Sequence, residues 1–517
     1  AVSKSGLAEL IKAASFLKAK IQITGSSQDS IDFVDRKSME ESDKKRFAYV
    51  SKIVSEVEKR KSFTKDVFRD DRIDKVLTHP FFGVLIFAVI MFLVFYISQA
   101  ESPLGLGKVL EGMLSGLIEN FQVFVGGLVE NANPLLKSIL LDGIIGGVGA
   151  VVGFLPLVMV MYFLIALLED SGYMARATVV LDPIFKRVGL SGKSVIPMVI
   201  GTGCGVPAIM ACKTIKNEKE RRTTALLCTF MPCGAKLPVI ALFAGAFFPE
   251  SVWVGPAMYF LGIAVILLGA LIIKNITGVT FKKNYFIIEL PEYKIPSLKF
   301  AVKNMIERGK SYIIKAGTII LLCNTIVQVM ASFTLSFSVA CENGSDSILA
   351  FISSPFAVLL IPVIGFSCWQ FAAASITGFI AKENVVGTLA TIFALTNFID
   401  TQSLELTGGA DEVALVLGLS KVSALAYLVF NLFTPPCFAA LGAMNSEMKS
   451  KKWLWGAIGF QFATGFSLGF LVFQIGTFIT TGSPGSGFFE GLIFLILFAT
   501  TLVLIGVKNK NGKKQND

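Results

Sequence analysis

From Phe81 to Val507 the chain is a succession of apolar runs, several of them broken by proline or glycine beside a cysteine. The first run, Phe81 to Ser98, is uncharged and long enough to cross a hydrocarbon core of about 30 Å. Two broken stretches read Gly201-Thr-Gly-Cys204-Gly-Val-Pro207 and Phe230-Met-Pro232-Cys233-Gly-Ala-Lys236-Leu-Pro238. A helix interrupted in lipid frees backbone groups that no water can bond, so such breaks persist only where protein or a wet cavity satisfies them. Both stretches are therefore pathway candidates, with Pro207 and Pro232 as the breaking residues of a gate.

The design returns downstream. Gly365-Phe-Ser-Cys368 repeats the spacing of Gly201 to Cys204, and Pro436-Cys437-Phe-Ala439 repeats Pro232 to Ala235, in the same order. An ordered pair of matches points to an internal duplication. The 517 residues are 53% hydrophobic and 16% charged with mean hydropathy +0.68, outside the range of a soluble domain. The expected fold is an all-α polytopic membrane protein with broken helices. A net charge of +10 does not point to nucleic acid, because Lys and Arg gather at both ends and in the loops 213–222, 274–310 and 449–452, the positive-inside pattern. Placing these in the cytoplasm with both termini requires an even number of crossings, about ten. The repeats then enter from opposite sides and are inverted, with the site near the midplane between them.

Residues 1–78 are polar with amphipathic helical patterning and predict a small soluble helical domain. Residues 79–142 hold the first span and an interfacial segment, 143–273 the first gate repeat, 274–310 a cytoplasmic linker and 311–446 the second repeat. Final spans over 447–507 and an irregular basic tail, 508–517, complete the chain. The opening Ala1-Val-Ser-Lys-Ser lacks an initiating Met and reads as part of something longer.

Eight cysteines and one histidine, His79, occur, with no CxxC pair, so a disulfide framework or zinc ribbon is not expected. Cys212, Cys228, Cys323 and Cys341 read as packing residues. Cys204, Cys233, Cys368 and Cys437 stand next to breaks or repeated motifs. Cys233 follows Pro232 and is expected to open a half-helix whose positive end favours a thiolate, with Lys236 one turn on. That lysine also repels cations, which makes it a gate residue; Cys368, resting on the repeat, joins it. Glu169-Asp170 ends a long span, with Arg176 further on, and reads equally as an interfacial cap or a site; Lys382-Glu383 interrupts an apolar stretch. Thiols with carboxylates suit a borderline-to-soft divalent ion, leaving Fe²⁺, Mn²⁺ and Zn²⁺ open. Gly189 to Ser194 is not a phosphate loop, since glycine is needed where Arg187 stands.

At LLEDSGYMARA (167–177), GLSGKSVIP (189–197), the GxGCxxPAIMA pattern (201–211), MPCGAKLPV (231–239), AKENVVGTL (381–389) and the Pro435-Pro436-Cys437 run, the chain resembles the membrane domain of FeoB, the bacterial ferrous iron transporter family. The resemblance spans about residues 70–507. It implies two gate-type repeats that import Fe²⁺ across the inner membrane, and a GTP-binding domain with an attached helical domain. Small accessory proteins and self-association are the further partners expected. Residues 1–10 look like the end of that GTP-binding domain, so GTP and Mg²⁺ belong to a missing part, no cofactor is expected here, and GTP hydrolysis is not expected of this chain. By the same resemblance Cys204, Cys233 and Cys437 match the family's gate thiols, and Glu169, Asp170 and Glu383 its carboxylate motifs, as metal-contacting candidates. The rival readings are a nucleoside or other small-solute permease and a membrane thiol-redox enzyme.

Overall fold

The computed structural model describes residues 73–99, 105–129, 137–251, 253–277, 290–291, 293–336, 338, 345–393 and 410–514. The helical domain expected at 1–78, apart from its end at Ile73 onward, and Cys341 lie outside them. Every regular element among the described residues is a helix. Six are long and apolar enough to cross a membrane, with shorter apolar helices at Phe82–Ser98, Leu321–Ser332 and Ile348–Leu359. Large apolar side chains such as Phe92, Leu268, Leu497 and Leu504 stand exposed on their outer faces, as a lipid-facing surface requires. Trp253 and Trp455 are exposed as well, the placing favoured for interfacial aromatics.

Helices α1 (Phe82–Gln99) and α2 (Leu106–Leu128) pack on α3 (Gly146–Asp170). The amphipathic α4 (Tyr173–Val188) follows, then two half-helices, α5 (Val195–Gly203) and α6 (Gly205–Ala211). A broken crossing comes next, α7 (Glu218–Leu227) and α8 (Leu237–Phe247), and then the continuous α9 (Val254–Thr277). The second half runs α10 (Leu298–Tyr312), α11 (Thr318–Ser332), α12 (Ile348–Leu359), the short α13 (Ile361–Ile364), α14 (Trp369–Ile380) and α15 (Asn384–Ile392). Helix α16 (Ala410–Leu417) leads to a second broken crossing, α17 (Lys421–Phe433) and α18 (Phe438–Met448), closed by α19 (Lys451–Thr481) and α20 (Phe488–Lys514). The expected irregular tail instead continues α20 as far as Lys514, because no proline intervenes to stop the helix.

The halves repeat each other in space. Helix α6 packs on α18 as α15 packs on α8, and α7 meets α18 as α17 meets α8. Helix α9 covers the first broken crossing as α19 covers the second. The two broken crossings are antiparallel: Arg222 Nε, near the start of α7, donates to the Met448 carbonyl at the end of α18 at 2.9 Å. Lys213 pairs with Glu447 at 3.1 Å beside it. The basic loops 213–222 and 449–452 therefore share one end of the bundle.

This packing pattern changes one expected equivalence. The α5–α6 break at Cys204 (φ −153°, ψ 135°) corresponds to the α14–α15 break at Ala381 (φ −146°, ψ 131°), not to the Cys368 segment. The GxxC match is sequence coincidence: Cys368 begins α14, whose 12 residues put it about 18 Å of helix rise from that break.

Two glycines let the covering helices reach the breaks. A Cβ on Gly262 of α9 would lie 2.9 Å from Pro232 Cδ and 3.4 Å from the Phe230 carbonyl oxygen. On Gly465 of α19 it would lie 2.7 Å from Thr434 N and 2.9 Å from Phe433 C. Phe230 and Phe433, the last residues before each break, meet with ring centroids 6.2 Å apart. The start of α7 is capped by Asn217, whose side chain accepts from the amides of Lys219 and Glu220. Asn217→Ala is expected to cost about 1 kcal/mol, visible as a lower Tm in detergent by circular dichroism.

Candidate functional site

Each of the singled-out cysteines stands where a half-helix begins. Cys204 is the residue before α6, Cys233 opens the one-turn helix Gly234–Lys236 that leads into α8, Cys437 precedes α18 and Cys368 precedes α14. All four have extended or non-helical backbone there and are half-buried. At Cys204, Cys233 and Cys437 an adjacent glycine or proline disfavours continued helix. Pro207 sits in the first turn of α6, where a missing N–H is tolerated, and Pro232 is buried against Gly262.

Cys204 lies within electrostatic range of Cys233, Cys437 and Glu383, and Cys437 within range of Cys233 and Glu383. Glu383 stands at the start of α15, so the group draws on four half-helices from both repeats. Among the described residues no three His, Cys, Asp or Glu side chains close into a metal-binding set. The donors are spread along the breaks, an arrangement able to hand an ion on rather than hold it.

Lys236 and Lys382 lie within the same range of Cys233 and Cys437 and are only 2% and 3% exposed. Lys236 Nζ donates to the carbonyls of Thr229 (3.1 Å) and Leu432 (2.6 Å). Lys382 Nζ donates to the Asn431 carbonyl (3.1 Å) and Thr434 Oγ1 (3.2 Å). The Thr229 and Leu432 carbonyls lie where the crossings break and helix bonding stops, while the Asn431 carbonyl also accepts from Thr434 Oγ1 at 3.1 Å.

Other candidates go elsewhere. Cys368 Sγ bonds Gln370 Oε1 at 2.8 Å, apart from the other thiols. Glu169 pairs with Arg308 at 3.2 Å and Asp170 accepts from the Ser297 amide at 2.8 Å, so both carboxylates tie the end of α3 to the 274–310 linker. Cys212 and Cys228 are buried and donate to helix carbonyls of Ala208 and Ala225. Arg176 reaches neither neighbouring carboxylate but Asp74.

A nucleoside-recognition (Gate) family profile matches residues 151–247 and 313–451, and a profile described as ferrous iron transport protein B C terminus matches 256–308. The Fe(2+) transporter FeoB of Staphylococcus aureus strain COL is 36% identical over 441 residues, 83% of this chain and 62% of that protein. The chain belongs to the FeoB family. An FeoB of Methanocaldococcus jannaschii is 34% identical over 446 residues, 84% of this chain and 62% of its own length. A Porphyromonas gingivalis protein named as a fusion of Fe(2+) transport protein A with FeoB is 32% identical over 480 residues, 83% of this chain and 54% of the fusion. The chain thus spans about three-fifths of the two unfused FeoB relatives. No solved structure matches it. The Gate matches in this FeoB membrane domain enclose both broken crossings, and the C-terminus profile covers α9 and the linker into α10.

Sequence reasoning passed over Lys382 in favour of its neighbour Glu383, and it missed Asn431 and Gln461 altogether. The signal was there: a lysine, an asparagine and a glutamine inside apolar helices are costly in lipid and face the bundle interior.

Proposed function

We propose that this FeoB membrane domain moves Fe²⁺ into the cytoplasm between the two inverted repeats. The observation that carries the reading is the gathering of Cys204, Cys233, Cys437 and Glu383 at breaks contributed by both repeats. Thiols supply soft donors and Glu383 a hard one, a mixture suited to a borderline divalent ion. Incomplete coordination keeps the ion mobile, since conduction needs sites weak enough to release it. The basic end of the bundle faces the cytoplasm of a bacterial inner membrane, with both termini on that side. Glu169 and Asp170 then stand at the cytoplasmic mouth, where carboxylates receive the emerging ion. Lys236 closes the path at rest, Pro207 and Pro232 provide its hinges, and Cys368 lies at a second break outside it. A GTP-binding domain drives opening through the residues that precede α1, with accessory proteins and self-association as further regulators; the fused relative supports the first of these.

The test is anaerobic uptake of Fe²⁺, Mn²⁺ and Zn²⁺ into proteoliposomes, with Cys204→Ser, Cys233→Ser and Cys437→Ser beside the parent. Fe²⁺ flux is expected to fall at least tenfold in each variant. Full flux in all three would reduce the thiols to packing residues, and nucleoside uptake without metal uptake would favour the small-solute reading instead.

A further inference from the structure

We infer that the ammonium groups of Lys236 and Lys382 occupy a cation site of their own, built from oxygens exposed where the two broken crossings meet, which a divalent ion takes over in transit. The inference rests on the transport reading for its role, and on the following geometry for its existence. A helix end carries unsatisfied carbonyls and the negative end of the dipole. Here the carbonyls of Asn431 and Leu432, from the last turn of α17, and of Thr229, just before the other break, converge with Thr434 Oγ1 on two ammonium groups. Neutral oxygens, not carboxylates, hold both charges. One crossing's lysine, Lys236, reaches across to the other crossing's carbonyl at Leu432, so the oxygens form one shared locus.

A second observation points to a ligand at that locus. The Asn431 side chain is 3% exposed; its amide group stands against the Tyr427 hydroxyl one turn earlier, and its Oδ1 has no hydrogen-bond donor. Gln461, 1% exposed, donates Nε2 to the Leu226 carbonyl and to Thr229 Oγ1, yet its Oε1 is unpartnered. Buried carboxamide oxygens left without donors are costly. An ion at the locus would use them, beside the nearby Cys233 and Cys437 thiols. Carboxamide and carbonyl oxygens with soft sulfur suit a borderline divalent cation. Two tethered ammonium groups in the same place exclude free cations by charge and fill the site when no ion is passing.

Mn²⁺ serves as the paramagnetic probe, its binding to the purified full chain followed by electron paramagnetic resonance. Lys236→Met with Lys382→Met is expected to bind Mn²⁺ at least tenfold more tightly than the parent, with Fe²⁺ competing, while Lys382→Arg alone binds as the parent does. Adding Asn431→Leu to the double variant is expected to abolish the gain. Unchanged binding in the double variant, or a gain that survives loss of Asn431, would overturn the site. Asn431→Leu alone removes the side-chain oxygen that lacks a donor and keeps both lysine caps, so it tests the site even where the methionine variants do not fold. It is expected to cut Fe²⁺ flux at least tenfold, and undiminished flux would overturn the site too. Tighter Mn²⁺ binding with no Fe²⁺ flux in any protein, parent included, would uphold the site and sink the transport reading; flux in the parent with no lysine-dependent binding would do the reverse.

Discussion

Arg176→Met is expected to destabilise the chain by about 3–5 kcal/mol, the cost of removing one partner from a buried, hydrogen-bonded ion pair. Arg176 is 1% exposed. Its Nε meets Asp74 Oδ1 at 2.7 Å and its Nη2 meets Oδ2 at 3.3 Å, while Nη1 and Nη2 donate to the carbonyls of Gly172 and Pro291 at 2.9 Å each. The Tyr293 ring lies 3.6 Å from the guanidinium carbon, and its hydroxyl donates to Asp74. Burial, reinforced by that hydrogen bond, pushes the Tyr293 hydroxyl well above its ordinary pKa, so it remains a donor at physiological pH. One side chain thus joins the lead into α1, the turn before α4 and the linker before α10. A lysine lacks this fork of five donors and can replace only part of it. A thermal-shift series in detergent checks this: Arg176→Met should melt far below the parent and Arg176→Lys between them. A methionine variant melting with the parent would mean that the cluster is solvent-relaxed and carries no stability.

Gly465→Val should have the second largest effect. The added side chain meets Thr434 N and Phe433 C, both backbone atoms held by the break itself, so rotamer changes offer no relief. Overpacking of this kind costs about 3 kcal/mol, and the relief available is for α19 to retreat from α17. The same pressure pushes on the break itself, which would move Thr434 away from Lys382 and displace Cys437. Fe²⁺ uptake is therefore expected to be lost together with a lowered Tm. Gly262→Ala, whose nearest new neighbour is the Pro232 ring at 2.9 Å, should be milder, because that ring can shift. Uptake and melting both unchanged in Gly465→Val would show that the covering helix does not set the geometry of the break.

Much of this organisation was legible in the residues. Uncharged runs of membrane length, thiols flanked by glycine and proline, and basic residues confined to a few loops led to an all-α membrane protein with broken helices, because each is a local consequence of what lipid forbids. The breaks at Cys204, Cys233 and Cys437 stand where the helix-breaking residues put them. Pairing of the repeats was less legible. Four matched letters placed Cys368 opposite Cys204, whereas packing places Ala381 there, since equivalence between repeats lies in which helices touch and not in short identities.

Local chemistry in the sequence by itself determined the class of fold, where the helices break and which donors stand at the breaks. Only the tertiary structure decided which donors meet. Lys236 bonds a carbonyl 196 residues away, and Arg176 a carboxylate 102 residues earlier. Such partners are chosen by the antiparallel docking of two broken crossings and by unsatisfied carbonyls that come together only when both halves have folded. No spacing along the chain encodes that meeting.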